Sequence, residues 1–392
     1  MTLPPLSLYA HLPWCVRKCP YCDFNSHAAG QRADKRRYID ALLADLAAES
    51  ARAAGRVVET VFFGGGTPSF FSAAEIGEIV AEIGRVLRLS GNAEITMEAN
   101  PGTVEHDRLR AYRDAGINRL SLGAQSFNDG SLARLGRIHG ASEILNAWCD
   151  AERAGFDSIN LDLMFALPGQ TLEMALEDVR QAILLSPPHL SWYQLTLEPN
   201  TVFHAKPPAD LPDEELSWAI ETEGSELLRA AGYERYETSA HARPGARCRH
   251  NLNYWQFGDY LAIGAGAHGK ITDEGGAIWR YRKPAHPLTY MQESESGRCD
   301  GMREQLAPAD IAFEYMLNAL RLTDGFTEES FSARTGLPWR FVAPCVQRAA
   351  ALGLMESAPD SQWAPSAHGR RFLNDLQAMF LPEPPVYSQR PA

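Results

Sequence analysis

The sequence predicts an α/β chain: a partial (β/α)6 barrel, then an α/β extension, then a helical, winged-helix-like C-terminal domain. Three observations carry this expectation. Short apolar runs alternate with segments of helical period over roughly residues 6 to 240. The alternation weakens after residue 200, where Pro207-Pro208 and Leu211-Pro212 mark a loop. From about Glu304, short helical segments replace it.

The expected strands are Leu6–Leu12, Thr60–Gly64, Glu94–Ala99, Arg119–Gln125, Ser158–Leu167 and Ser191–Glu198, each rich in Val, Ile, Leu, Phe or Tyr and ended by Gly, Pro or polar residues. Between them, apolar residues recur every three or four positions in Arg36–Ala54, Ser72–Arg88, Val104–Ala115, Ser142–Ala154 and Thr171–Leu185. Ser72-Ala-Ala-Glu75 reads as a capping box, and Gly116 and Gly155 as helix C-caps. Repeated β-then-α units require a mostly parallel sheet with right-handed crossovers, and ligands then sit at the C-terminal strand ends. Six units are fewer than the eight of a closed barrel, so the barrel should be open. A helix near Glu214–Ala231, a strand near Tyr233–Ser239 and a glycine-rich stretch, Gly258–Gly269, follow. The expected divisions are 1–240 for the barrel, 241–302 for the extension, 303–380 for the helical domain and 381–392 for a flexible Pro-rich tail.

Composition narrows the function. With 392 residues, 45% hydrophobic and 22% charged, the chain can bury a large core. Lys and Arg number 37 against 49 Asp and Glu, a net charge of −12, which argues against a nucleic-acid partner. An anionic ligand would need a local site. The start lacks a signal-peptide pattern, and no apolar run is long enough to span a membrane. Seven cysteines at this density do not suggest a disulfide scaffold, so a reducing cytoplasm is expected. Oligomeric state is not fixed by the sequence; a homodimer is allowed.

Three of the seven cysteines fall within eight residues, Cys15-Val-Arg-Lys-Cys19-Pro-Tyr-Cys22, directly after the first strand. Three thiolates on one loop can hold three irons of a cubane cluster and leave the fourth open to a chelating amine and carboxylate. Zinc is the alternative, but it commonly uses a second Cys or His pair, and none stands here at zinc-site spacing.

The C-x3-C-x2-C motif, with an aromatic residue before the last cysteine, resembles the signature of the radical S-adenosylmethionine (SAM) superfamily. The resemblance implies a [4Fe-4S] cluster that, when reduced, cleaves SAM to methionine and a 5′-deoxyadenosyl radical. It also implies cluster ligands Cys15, Cys19 and Cys22, with Tyr9, Tyr21, Gly65, Gly66, Thr67, Glu98, Gln125, Arg137 and Asp162 around SAM. Each has its own local reading. Phe63-Gly-Gly-Gly-Thr-Pro68 ends strand two, and glycines there allow close approach to a ligand, although a plain turn would look alike. Glu98 could accept ribose hydroxyls, although a strand-end Glu is often only solvated. Arg137 could pair with a carboxylate. Asp162 is a charge inside an apolar strand, costly unless it lines the barrel.

Further segments, among them Glu98-Ala-Asn-Pro, Gln125-Ser-Phe, Asp162-Leu-Met-Phe-Ala-Leu-Pro-Gly-Gln and Asp259-Tyr-Leu-Ala-Ile-Gly, are similar to the oxygen-independent coproporphyrinogen III oxidase-like group over nearly the whole chain. That group contains true oxidases, which decarboxylate two propionates, and heme chaperones, which bind heme and pass it to acceptor hemoproteins such as membrane-associated respiratory enzymes. Oxidases carry another cysteine two residues after the third ligand, and an N-terminal extension. Here that position is Phe24, and 14 residues precede Cys15, so the chaperone branch is expected and the oxidase is the alternative. His250-Asn-Leu-Asn-Tyr254-Trp255 resembles the chaperones' H-N-x-x-Y-W motif, with His250 an expected heme residue, although a loop histidine among packed aromatics would look alike. Cys248 is a weaker ligand candidate, His268 a second histidine candidate, and Arg247 and Arg249 could face propionates. Gly264-Ala-Gly-Ala-His-Gly269 fits G-x-G-x-x-G but lies far from the first β-α unit, a poor place for a dinucleotide. Cys149, Cys299 and Cys345 are expected to be ordinary thiols.

Overall fold

The strand-and-helix alternation is realised almost residue for residue in the structure, a computed structural model that describes residues 3–30, 33–103, 106–299, 301–359 and 361–382. Strands β1 (Leu6–Leu12), β2 (Val57–Gly65), β3 (Arg88–Ala99), β4 (Arg119–Gln125), β5 (Ser158–Phe165) and β6 (His189–Gln194) pair in parallel in that order. The fifth strand stops two residues short of the expectation because Ala166 turns the chain at φ +57°. The crossover helices are Lys35–Ser50, Ala73–Val86, His106–Asp114, Ala141–Ala154 and Leu172–Leu185. The Ser72–Glu75 capping box forms, and Gly155 caps its helix at φ +75°. The expected helix start at Val104 and the tail from residue 383 lie outside the described residues.

The second half of the chain extends the same sheet. Strands β7 (Glu234–Glu237), β8 (Ala240–Ala242), β9 (Asp259–Ile263), β10 (His268–Thr272), β11 (Ile278–Arg282) and β12 (Met302–Gln305) complete a 12-stranded sheet ordered β12-β11-β10-β9-β1-β2-β3-β4-β5-β6-β8-β7. The glycine-rich stretch is thus two strands and their turn. Of these, β9 pairs in parallel with β1, a seventh parallel strand that the sequence pattern hides behind its glycines. The remaining neighbours pair antiparallel.

Helix-facing positions of the strands pack one large core, from Leu6 and Leu8 through Leu120, Leu122, Leu161, Leu163 and Trp192 to Tyr290. A second core lies under the C-terminal segment, where helices Pro308–Ala319, Glu328–Thr335 and Ala343–Ala351 and a three-stranded sheet surround Tyr315, Phe331 and Val346. Phe257 and Ile278, from the extension, belong to this second core. No helix among the described residues is long and apolar enough to cross a membrane.

Candidate functional site

Side chains on a strand alternate between faces, and here the alternation separates a core from a cavity. Leu120, Leu122 and Ala124 of β4 face the helices. Arg119, Ser121, Gly123 and Gln125 face inward, as do Asn160, Asp162 and Met164 of β5 and Ser191 and Tyr193 of β6. These inward residues line a cavity of about 540 Å³. The loop after β1 closes one side of it with Cys15, Cys19, Tyr21 and Cys22, and Gly66, Thr67, Glu98 and Arg137 complete the wall. Ten of the residues expected at the cluster and SAM therefore meet in one place. Tyr9 and Gly65 line an adjoining cavity of about 600 Å³, and Glu98 lines both. His250 lines neither.

The cluster loop is held from three directions. The Gly66 N–H donates to the Leu12 carbonyl at 2.8 Å and the Thr67 N–H to that of Trp14 at 2.9 Å. A Cβ on Gly66 would lie 2.7 Å from the backbone of Leu12, Pro13 and Trp14. The glycine expected to admit a ligand is thus first required by the exit of β1. Burial pushes the Cys15 and Cys22 thiols up, opposed by the hydroxyls of Thr67 and Ser26. Arg137 approaches Cys19 Sγ at 3.9 Å through Nη1 and donates to the Gly123 carbonyl at 2.7 Å through Nη2. Tyr21 packs against Phe203, with ring centroids 6.4 Å apart.

The cavity is built to receive charge. The Arg137 Nε is buried and has no hydrogen-bond partner. Glu98 accepts from the Gly65 N–H at 3.3 Å; burial, with Asp162 adding repulsion, pushes its carboxyl up to about 8. Asp162 accepts from Asn160 at 2.7 Å and Ser121 at 3.1 Å and is also raised by burial. Gln125 holds a left-handed backbone, φ +73°, at a bulge in β4, and its Oε1 accepts from the Tyr193 hydroxyl at 3.0 Å. Strain of this kind in a non-glycine residue marks a position that its surroundings enforce. Two buried carboxyls without an ion-pair partner, each held toward its protonated form, would be stabilised as carboxylates by the sulfonium and ammonium of SAM, and a spare guanidinium N–H suits its carboxylate. Three thiols on one loop suit a cubane cluster.

Residues 9–182 match the family model of the radical SAM superfamily, and residues 306–372 that of the HemN C-terminal domain. The heme chaperone HemW of Escherichia coli K12 is 50% identical over 97% of this chain and 99% of its own length. That of Haemophilus influenzae is 49% identical over the same shares, and that of Bacillus subtilis 32% identical over 96% and 99%. This chain belongs to the HemW family. Among solved structures, the coproporphyrinogen III oxidase HemN of E. coli, a radical SAM enzyme, superposes with a TM-score of 0.81 at 25% identity, covering 96% of this chain and 90% of that one.

The side chains of Arg247, Cys248, Arg249 and His250, expected near heme, each have partners within the protein. Helix Arg249–Trp255 sits against the inner face of the sheet, its start fixed by Glu94, which accepts from the Arg249 and His250 N–H groups at 3.1 and 3.0 Å. His250 is buried, with Nδ1 2.7 Å from the Thr60 hydroxyl and Nε2 2.9 Å from the Tyr254 hydroxyl. Thr60 donates onward to Ser7, so Nδ1 carries the proton and Nε2 accepts from Tyr254. Burial lowers the ring to about 3, and both nitrogens are hydrogen-bonded. Cys248 is buried against Glu94 and pushed up to about 12 by that burial, which disfavours the thiolate a ligand would need. Arg247 pairs with Asp324 at 2.6 Å and Arg249 with Glu59 at 3.1 Å, so both guanidinium groups are committed. Tyr254 and Trp255 of the same motif do reach the second cavity.

Sequence reasoning missed Ser121, Asn160, Ser191 and Tyr193. For two of them the signal was present: Asn160 stands two residues before Asp162 and Ser121 four before Gln125, on the same face of strands whose other face is apolar, whereas the strand of Ser191 and Tyr193 carried no expected site residue.

Proposed function

We propose that this protein is a cytoplasmic heme carrier that binds heme and passes it to acceptor hemoproteins, among them respiratory enzymes at a membrane. The observation that carries this is Phe24. It stands where an oxidase would place a further cysteine, and its exposed ring forms part of the wall shared by the two cavities. The 50% identity to heme chaperones, against 25% to an oxidase of the same fold, supports the same choice.

In this reading Cys15, Cys19 and Cys22 hold the [4Fe-4S] cluster. Arg137 receives the SAM carboxylate, while Glu98, Gln125 and Asp162 hold its cationic and hydroxyl groups. The bound cluster and SAM supply one-electron reduction chemistry. Ser121, Asn160 and Tyr193 keep the acceptors aimed by hydrogen bonds, and Phe24 with Trp255 separates this cavity from the aromatic one. The aromatic cavity, about 600 Å³, falls within the range of small-molecule sites, roughly 300–1,000 Å³, and is offered as the heme seat.

Reconstituted protein with SAM and reductant, given coproporphyrinogen III without oxygen, is expected to yield no protoporphyrinogen IX, while the same sample takes up hemin. Turnover to protoporphyrinogen IX would instead establish the oxidase.

A further inference from the structure

A groove of about 790 Å³ lies at the β7 edge of the sheet and shares no lining residue with the two barrel cavities. Three parts of the chain build it: helix Glu214–Ala230, the strand pair β7 and β8, and the C-terminal helix Ala367–Arg371. Arg235 of β7 and His241 of β8 stand opposite each other in the antiparallel register, so both reach the groove from one face of the pair.

Polar groups in this groove lack partners. His241 is 2% exposed, and neither of its ring nitrogens is hydrogen-bonded. The buried Nε of Arg235 and the buried hydroxyl of Ser225 are likewise without partners. Buried polar atoms in folded proteins nearly always have one, so three such groups along one groove mark a place where a ligand supplies acceptors. Burial, then the charge of Arg235, pushes the His241 imidazole down to about 3, which leaves it neutral with one N–H to donate.

The charge of the groove has the sign that such a ligand needs. Its four acids are already engaged: Glu226 by Arg229 at 2.6 Å, Glu221 by Arg235 at 2.9 Å, and Asp324 and Glu234 by Arg247 at 2.6 and 3.6 Å. Arg370 and Arg371 have no carboxylate partner among the described residues. Arg370 donates to the Pro365 carbonyl at 2.7 Å through Nη1, and Arg371 lies over the Trp218 ring, 4.5 Å from its centroid. Both guanidinium groups are thus held in place with N–H groups to spare. A carboxylate offers two oxygens, whereas donors arriving from separate elements suit the three of a phosphate. The groove is also far larger than one phosphate, which leaves room for the rest of an ester.

We propose that this groove binds a small phosphomonoester, its phosphate held between Arg370, Arg371, Arg235 and His241. Such a ligand ties the C-terminal segment to the edge of the sheet, and its binding does not depend on heme carriage.

Isothermal titration calorimetry of the full-length protein tests this with glycerol 3-phosphate, inorganic phosphate and citrate as probes. Both phosphate probes should bind, and citrate more weakly. Arg370→Gln with Arg371→Gln should weaken glycerol 3-phosphate binding about tenfold or more. Arg340→Ala with Arg348→Ala removes two exposed cations of the same segment outside the groove and should leave binding unchanged. In wild-type protein labelled at histidine, glycerol 3-phosphate should shift the NMR signal of His241, a readout that does not depend on any variant folding. Failure of both phosphate probes to bind, citrate binding as tightly as they do, or an unmoved His241 signal would overturn the proposal. So would undiminished binding in a folded Arg370→Gln, Arg371→Gln protein, or an equal loss in the two double variants.

Discussion

Glu98 shows how a single side chain joins folding to ligand binding. A carboxyl that ionises near 4.5 in the unfolded chain is raised to about 8 here, chiefly by burial and then by Asp162. The stability tied to keeping it protonated is complete below about 4.5 and is lost as pH rises through about 8. Glu98→Gln should therefore melt higher than wild type at pH 9 and no higher at pH 5, and should bind SAM more weakly. Parallel pH trends in the two proteins would show that the carboxyl is not held this way. Much at this scale was legible: the three cysteines, Glu98, Gln125, Arg137 and Asp162, expected together from motif and strand position, line one cavity. For His250 the motif reports which residues recur together and not which way an imidazole turns. Only the contacts with Thr60 and Tyr254 reveal that both nitrogens are spent.

Among elements, the contact between helix Lys35–Ser50 and the segment after β11 is the least forgiving. Lys283 is fully buried and donates to Asp45 at 2.7 Å and Glu49 at 2.6 Å, while Tyr290 and Tyr281 donate to the same two carboxylates. Removing one partner of such a group strands the other charges, at a cost of about 3–5 kcal/mol. Lys283→Met should lose about that much in denaturant unfolding and should also loosen the turn that carries His268. A loss below 1 kcal/mol would mean that the two acids find water instead. The crossover helices were legible because period and caps agree in them, as at Ser72 and Gly155. Strand β9 was not. Glycines at 258, 264, 266 and 269 suggest a loop, whereas they are there because neighbours press close: a Cβ on Gly264 would meet the His11 carbonyl at 2.3 Å.

At the scale of the whole molecule, a sheet that begins at Leu6 and ends near Gln305 holds both cavities, and the C-terminal segment closes the core beneath Phe257 and Ile278. A chain ending at Gln305 would expose both residues, now 1% and 0% exposed. It should therefore aggregate or melt well below the full-length protein; an unchanged melting temperature would show the C-terminal segment to be independent of the rest. The alternation of β and α made the barrel half readable. The joining of the two cores depends on contacts between residues far apart in sequence, which no local pattern encodes. The two cavities share Asp23, Phe24, Glu98 and Trp255, so the cofactor site and the proposed heme seat are separated by single side chains. The most direct measurement is hemin transfer: protein with its cluster and SAM, loaded with one equivalent of hemin, is mixed with an apo-hemoprotein and the Soret spectra of both are followed. The heme-carrier account predicts that the acceptor gains the hemin and that coproporphyrinogen III is left untouched in a parallel sample. Hemin that stays bound, with protoporphyrinogen IX formed in the parallel sample, would contradict it.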